Sequence, residues 1–385
     1  MKRIWLVIIV VAALSSCEKK ISEFQSSNFI KFFGSGSLSN GFDVKELPNG
    51  YLAVGFDNTS DLDNQFLVVR TDKAGNTIWQ KSYGTDFADE AYTVHVDGDN
   101  YYVGGTTTDD DGIVSSHILH LNSQGDSLGC LAISGENYSL KLNNFCVSES
   151  SIVVVGETNE NSAIQSDYFI SKYSFEGAPQ WQKDGVYGAE GSSQSFKKVF
   201  VDGDRIVAVG TNNGWIGSTL THISITPFNL TTGAPLFFFN METTVSQQFG
   251  DAILLGEGDI VIAYNQLVQG KYEARLIRIS LSDYSTVWHV ESGIPCQAKS
   301  LTLATDGTII LSGERDELIY IFKFDDSGNI TLSSPSEETD VLLGSVEAVV
   351  STSDNGLVIV GTTAPDYGTM MQLIKTDSEL YLFKP

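Results

Sequence analysis

Residues 65–105 read QFLVVRTDKAGNTIWQKSYGTDFADEAYTVHVDGDNYYVGG, and they hold one full period of a pattern that fills the chain. An apolar run, FLVVRTD, leads through the turn Asp72-Lys73-Ala74-Gly75 into TIWQKSYG. After a polar stretch comes the alternating run EAYTVHV, then a second turn at Asp97-Gly98-Asp99-Asn100, then an apolar run ending in glycine, YYVGG. Alternation with period two is strand patterning, and Asp/Asn/Gly turns between such runs are hairpin chemistry.

Outward from this stretch, the glycine-ending strand recurs. It runs to Gly55, Gly105, Gly156, Gly210, Gly313 and Gly361, and a seventh copy, IVIAY, ends at Tyr264 with the glycine lost. The spacings of 50, 51, 54, 54, 49 and 48 residues average 51. Four antiparallel strands in about 50 residues is the size of a propeller blade. Seven blades close a ring and leave no long open edge. The expected fold is all-β: a seven-bladed β-propeller of four-stranded antiparallel blades over residues 28–385, with negligible helix.

Within the repeat, Trp79, Trp181 and Trp288 share one place in the fourth strand, with Phe237 and Leu332 at the matching place. They are expected to pack between blades. Gly129 breaks that pattern in the second copy, which predicts the least well packed blade. Asn28–Gly34 matches the end of a fourth strand and is expected to pair with the blade at 345–385 and lock the ring. Leu380–Phe383 competes for the same place, so one of the two would be an extra outer strand.

The chain opens MKRIWLVIIVVAALSSCEKK. Lys2 and Arg3 precede an apolar run, Ile4–Leu14, that is too short to span a bilayer and reads as a processing signal. Leu14-Ser15-Ser16-Cys17 resembles the bacterial lipobox, which implies cleavage before Cys17 and lipidation of it. The expected organisation is a signal peptide at 1–16, a polar tether at 17–27 and the propeller at 28–385. The expected location is the outer membrane, on its periplasmic or cell-surface face.

Taken together the copies resemble the repeats of β-propeller lipoproteins of Bacteroidota, of a quinoprotein-like or kelch-like kind. Trp79-Gln80-Lys81-Ser82-Tyr83-Gly84 and Asp72-Lys73-Ala74-Gly75 carry the match. Quinoprotein-type repeats occur in quinone-dependent dehydrogenases and in non-catalytic outer-membrane assembly scaffolds. Asn122, Ser174 and Asn229 replace the aspartate in other copies, so no quinone is implied.

The 385 residues include 48 acidic and 23 basic side chains, a formal charge of −25. That sign argues against a surface that tracks a phosphate backbone. With 42% apolar and 18% charged residues, the chain is a core-former. Beyond Cys17 there are three cysteines, an odd number. Cys130 and Cys146 fall on neighbouring predicted strands, and the sequence leaves a bridge between them open.

No P-loop, His-Glu-x-x-His or Gly-x-Ser-x-Gly occurs. His117 and His120 point to opposite faces of a strand, and Asp109-Asp110-Asp111-Gly112 lacks the alternation of a calcium loop. Acidic residues on the longer loops read as solubility. The loops 57–65, 106–116, 157–167, 211–221 and 362–369 form the expected ligand end. Trp215, Tyr138 and Tyr367 are the candidate contacts, with Trp215 folded inward as a plug the open alternative. No catalytic residue or metal ligand is assigned.

The sequence therefore points to a monomeric, non-catalytic binding or scaffold propeller for a glycan or protein partner, without nucleic acid and without a cofactor. The alternative is a hydrolase or lyase assisted by Ca²⁺, with carboxylates at the central channel mouth.

Overall fold

The apolar, glycine-ending runs become strands buried on both faces, because each lies between two strands of its own sheet and between two neighbouring blades. Val153, Val154 and Val155 have no exposure, whereas the outermost strand Thr77–Tyr83 alternates between exposed and half-buried residues. The computed structural model describes residues 28–35, 37–58, 64–135, 138–148, 151–159, 166–185, 193–213, 219–256, 258–335, 342–365 and 368–382.

Blade 1 runs from channel to rim as Leu38–Leu47, Gly50–Asn58, Gln65–Thr71 and Thr77–Tyr83, all antiparallel. Blades 2 to 6 repeat this order over 88–133, 140–185, 193–240, 247–291 and 297–334. In blade 7, Ala348–Ser351, Leu357–Thr363 and Met370–Thr376 are joined on the outside by the N-terminal strand Phe29–Phe33. Seven apolar clusters hold the ring, one at each seam between adjacent blades. No helix occurs among the described residues.

The recurring glycine has a steric cause. The inner strand of six blades carries a β-bulge, at Phe42, Tyr92, Asn143, Lys197, Gly250 and Lys299. The bulge pushes backbone against the glycine opposite. A Cβ at Gly55 would lie 1.8 Å from the Asn40 carbonyl, one at Gly156 1.9 Å from Lys141, and one at Gly210 1.9 Å from Ser195. In blade 5, where Tyr264 replaces this glycine, the bulged position is itself Gly250.

The tryptophans staple each blade to the next. Trp79 Nε1 donates to the Ser123 carbonyl at 3.1 Å, Trp181 Nε1 to Leu230 at 3.3 Å and Trp288 Nε1 to Asp326 at 2.9 Å. Every acceptor lies in the turn between the third and fourth strands of the following blade. Gly125 closes such a turn with φ +74, and a methyl group there would meet the Trp79 ring at 3.0 Å. Phe29 lies over Gly75 in the same manner at the closing seam. In blade 2, where Gly129 holds the tryptophan place, Leu131 reaches over Gly177 instead.

The N-terminal segment closes the ring, and its rival does not form a strand. Phe29–Phe33 pairs with Met371–Lys375 in register. Asp377–Tyr381 instead forms the turn that the repeat places there: Asp377 accepts the Glu379 and Tyr381 amides at 2.9 Å. The fourth-strand position beyond it is already filled. Leu380 and Leu382 turn inward and are buried at the seam between blades 6 and 7.

Two local departures stand out. Blade 4 keeps only Phe239–Asn240 as its outer strand, so Phe237 falls outside it, half exposed, with its ring on Tyr284 at 4.4 Å. Beyond that strand the pairing reduces to an isolated bridge between Phe228 and Pro235 and the Leu236 amide on the Pro227 carbonyl at 2.9 Å. In blade 6, Leu342–Leu343 adds a short fifth pairing to Leu318–Ile319. Cys130 lies on an outer strand and Cys146 on the inner strand of the next blade, and both thiols are free, as is Cys296.

Candidate functional site

The bulges project side chains into the central channel, where a cavity of about 890 Å³ is lined by residues of all seven blades. The six bulged positions, with Glu347 at the corresponding place in blade 7, are filled by six different residue types, lysine alone occurring twice: Phe42, Tyr92, Asn143, Lys197, Gly250, Lys299 and Glu347. The cavity also reaches Thr211, Thr221 and Ser246, so it opens toward the end that carries the longer loops.

The residue after each bulge builds a polar belt around the channel. Asp43 accepts the Val94 amide of blade 2 at 2.9 Å and the Thr93 hydroxyl at 3.2 Å with one oxygen. Its other oxygen accepts from Lys45 at 2.7 Å and from the Val44 amide at 2.8 Å. Asp251 repeats the arrangement in blade 5. One oxygen takes the Leu301 amide at 2.9 Å and the Ser300 hydroxyl at 3.3 Å, the other takes Lys198 and the Ala252 amide, both at 2.8 Å. Asn144 accepts the Val199 amide, and Ser300 accepts the Val349 amide. These side chains lash each inner strand to the next blade.

The channel is charged against the trend of the protein. Among the described residues five lysines line it (Lys45, Lys141, Lys197, Lys198 and Lys299) against three carboxylates, Asp43, Asp251 and Glu347, in a chain with 48 acids and 23 bases. Lys299 sits between Glu314 at 2.9 Å and Glu347 at 3.5 Å. Burial raises the Glu347 carboxyl above its ordinary range; the Lys299 ammonium opposes the shift and Glu314 adds to it. Lys197 meets Glu157 at 3.4 Å. Burial pushes the Lys197 ammonium down, Glu157 resists, and neighbouring Lys141 pushes it further. Lys141 lies over the Tyr92 ring, 5.9 Å from its centre, and among the described residues no carboxylate comes within 4 Å of it.

Of the residues singled out by sequence, Cys17, Trp215 and Tyr367 lie outside the described residues. Tyr138 is half-buried against the seam of blades 2 and 3, beside Leu131 and Val147, with Gly135 under its ring. His117 and His120 separate as expected: His117 approaches Cys130 Sγ at 3.7 Å, while His120 stacks on Tyr102 at 4.6 Å and meets Asn100. Some long-loop acids that read as solubility have structural partners. Asp57 accepts from the Ser35 and Ser39 hydroxyls at 2.7 and 2.5 Å, and Asp89 accepts the Thr85 amide at 2.6 Å. The sequence reading gave the channel lysines no role. A bulge position is not visible as a pattern, although basic residues in inner strands of so acidic a chain were a usable signal.

No family model and no curated protein matches the chain. Solved structures match it in fold. The polysaccharide lyase Uly1 is 12% identical with a TM-score of 0.56, over 88% of this chain and 90% of that one. Drosophila Plexin A, solved in complex with Semaphorin 1b, is 8% identical with a TM-score of 0.55, over 90% of this chain and 86% of that one. A Bacteroides caccae protein of unknown function is 14% identical with a TM-score of 0.44, over 69% of this chain and 87% of that one. The same ring serves a lyase in one protein and a protein complex in another, so architecture alone sets no role.

Proposed function

We propose that the chain is a membrane-anchored lipoprotein whose propeller is a non-catalytic binding or scaffold module for a glycan or protein partner, engaged at the loop-rich end. One observation carries this reading over the Ca²⁺-assisted hydrolase or lyase. Asp43 and Asp251, the carboxylates an enzyme would direct into the channel, each accept four hydrogen bonds from backbone amides, hydroxyls and lysines. A cation held by carboxylates needs several free oxygens converging on one point. Among the described residues no group of three His, Cys, Asp or Glu side chains converges in that way.

In this reading Cys17 carries lipid and tethers the ring through residues 17–27, and Trp215 and Tyr367 extend the contact surface around the mouth. Thr211 and Thr221, which flank the Trp215 segment, line the cavity. The test is a glycan array and a pull-down with the lipid-free chain beginning at residue 18, wild type against Trp215→Ala. An aromatic contact of this kind is worth about 2 kcal/mol, a loss of roughly thirtyfold. Equal binding by both proteins removes Trp215 from the surface. Turnover of a polysaccharide by the wild type, abolished by chelation, would favour the enzyme. Membrane fractionation of Cys17→Ser tests the anchor: release into the soluble fraction is expected, and persistent membrane association contradicts it.

A further inference from the structure

The lining of the channel is electrically polarised, and the polarity names a chemical class of ligand. At the seam of blades 3 and 4, two ammonium groups, Lys141 and Lys197, lie near one another, and the single carboxylate Glu157 pairs with Lys197. Across the ring from it lies the seam of blades 6 and 7, where Glu314 of blade 6 and Glu347 beside the inner strand of blade 7 share one ammonium, Lys299 of blade 6. One side of the cavity therefore lacks a negative charge and the other has one to spare. The remaining lysines, Lys45 and Lys198, are held by Asp43 and Asp251.

The excess positive charge is placed to receive a ligand. Lys141 and Lys197 are both half-buried, where a charge pair is worth more than in open water. Lys141 spans the Tyr92 face, and Phe42 packs edge-on against that ring at 5.4 Å. Two aromatic rings beside an ammonium offer flat apolar surface together with a charged donor, a combination suited to a sugar ring bearing an acid. The volume, about 890 Å³, falls in the range of small-ligand clefts, roughly 300–1,000 Å³. The cavity is concave, so it takes a short chain or a chain end rather than the broad face of a folded protein.

We propose that Lys141 and Lys197 form an anion-recognition corner that takes the carboxylate or sulfate of an acidic glycan, whose hydroxyl groups donate to Glu347 across the channel. This rests on the binding reading above and gives that binding a ligand class and a location inside the mouth. The oxyanion supplies the second negative charge that the lysine pair lacks, and the sugar hydroxyls supply donors to the side with surplus carboxylate. No bond is made or broken.

The test uses the lipid-free chain beginning at residue 18 and calorimetric titration with four probes of similar length: tetragalacturonate, a heparin-derived tetrasaccharide, neutral cellotetraose and tetraglutamate. The expected result is binding of at least one acidic tetrasaccharide that weakens with added salt, with cellotetraose and tetraglutamate each at least about tenfold weaker. Comparison of the first two probes tells carboxylate from sulfate. A charge-assisted hydrogen bond is worth about 1.5–3 kcal/mol, so Lys141→Ala should lose about tenfold or more. Lys141→Arg should keep most of the affinity, and Lys81→Ala, on the outer strand of blade 1, should keep all of it. Thermal unfolding of each variant confirms that the fold is intact; because Lys197→Ala strands Glu157, Lys141 is the residue to change first. Failure of both acidic tetrasaccharides to bind, or affinity indifferent to Lys141→Ala, overturns the proposal. Equal affinity for cellotetraose with loss in Trp215→Ala overturns the corner and leaves the binding reading standing. Tighter binding of tetraglutamate would overturn the glycan in favour of an acidic peptide.

Discussion

The rim of the ring and the lining of its channel are each built from equivalent positions in successive blades, yet they are filled by opposite rules. At the rim one solution recurs. An apolar side chain of the outer strand, Trp79, Trp181, Trp288, Phe29 or Leu131, covers a turn in the next blade. In the channel the backbone recurs, bulge after bulge, while the side chains run Phe42, Tyr92, Asn143, Lys197, Gly250, Lys299, Glu347. Positions that hold the ring together tolerate few answers, because each must fit the same glycine-bearing turn. Positions that face the cavity are released from that demand, and charge gathers there in a pattern that packing does not require.

The comparison breaks if repeat positions prove dispensable for stability or if channel side chains outside the Asp43 and Asp251 belt, such as Lys141, prove essential for it. The largest effect belongs to Asp354, in the hairpin turn of blade 7, whose carboxylate holds the fully buried Lys375 at 3.0 Å. Asp354→Ala leaves that ammonium without its counter-charge and should cost about 3 kcal/mol or more in urea unfolding. Its pH dependence has a definite sign. Burial works against the Asp354 charge, but the Thr352 hydroxyl and the Lys375 ammonium outweigh it and hold the carboxyl below its ordinary 3.8. A folded-state value below the unfolded one gives stability that is present above pH 3.8 and lost as pH falls through the depressed value. Asp354→Asn should flatten that acid limb.

Trp79→Ala should cost about 3 kcal/mol, since it removes both the ring over Gly125 and the hydrogen bond to Ser123. Leu131→Ala, at the seam where leucine stands in for tryptophan, should cost less, about 2 kcal/mol. A larger loss at Leu131 than at Trp79 would refute the idea that the aromatic is the stronger staple. The smallest effect is expected in the channel. Lys141→Ala, which removes a charge that repels Lys197, should shift stability by no more than about 0.5 kcal/mol.

The same contrast explains what the sequence disclosed. Blade number, strand order and the closing role of Phe29–Phe33 follow from positions that repeat, and Gly55, Gly156 and Gly210 repeat because a Cβ would strike the backbone opposite. Two readings stumbled where local pattern and ring topology disagree. Leu380–Phe383 has the look of a fourth strand because Asp377–Tyr381 is a genuine repeat turn, but the N-terminal strand occupies the place beyond it. Phe237 aligns with the tryptophans, yet the outer strand of blade 4 shortens to Phe239–Asn240 and leaves it outside. The cavity was hidden for the opposite reason: its six bulge positions and Glu347 share a place in the blade but no common residue type. Lys141 and Lys197 lie 56 residues apart in neighbouring blades and Glu347 another 150 residues on, and only ring closure brings them around one space.

Ligand-protected lysine acetylation, read by mass spectrometry, tests most directly whether function resides in the channel. The lipid-free protein is labelled briefly with and without saturating tetragalacturonate or the heparin-derived tetrasaccharide, whichever binds more tightly. Lys141 and Lys197 should be protected, while Lys73 and Lys81, at the repeat turn and outer strand of blade 1, label at unchanged rates. Protection of Lys73 and Lys81 with Lys141 and Lys197 still fully reactive would place the ligand on the outer face and contradict the account.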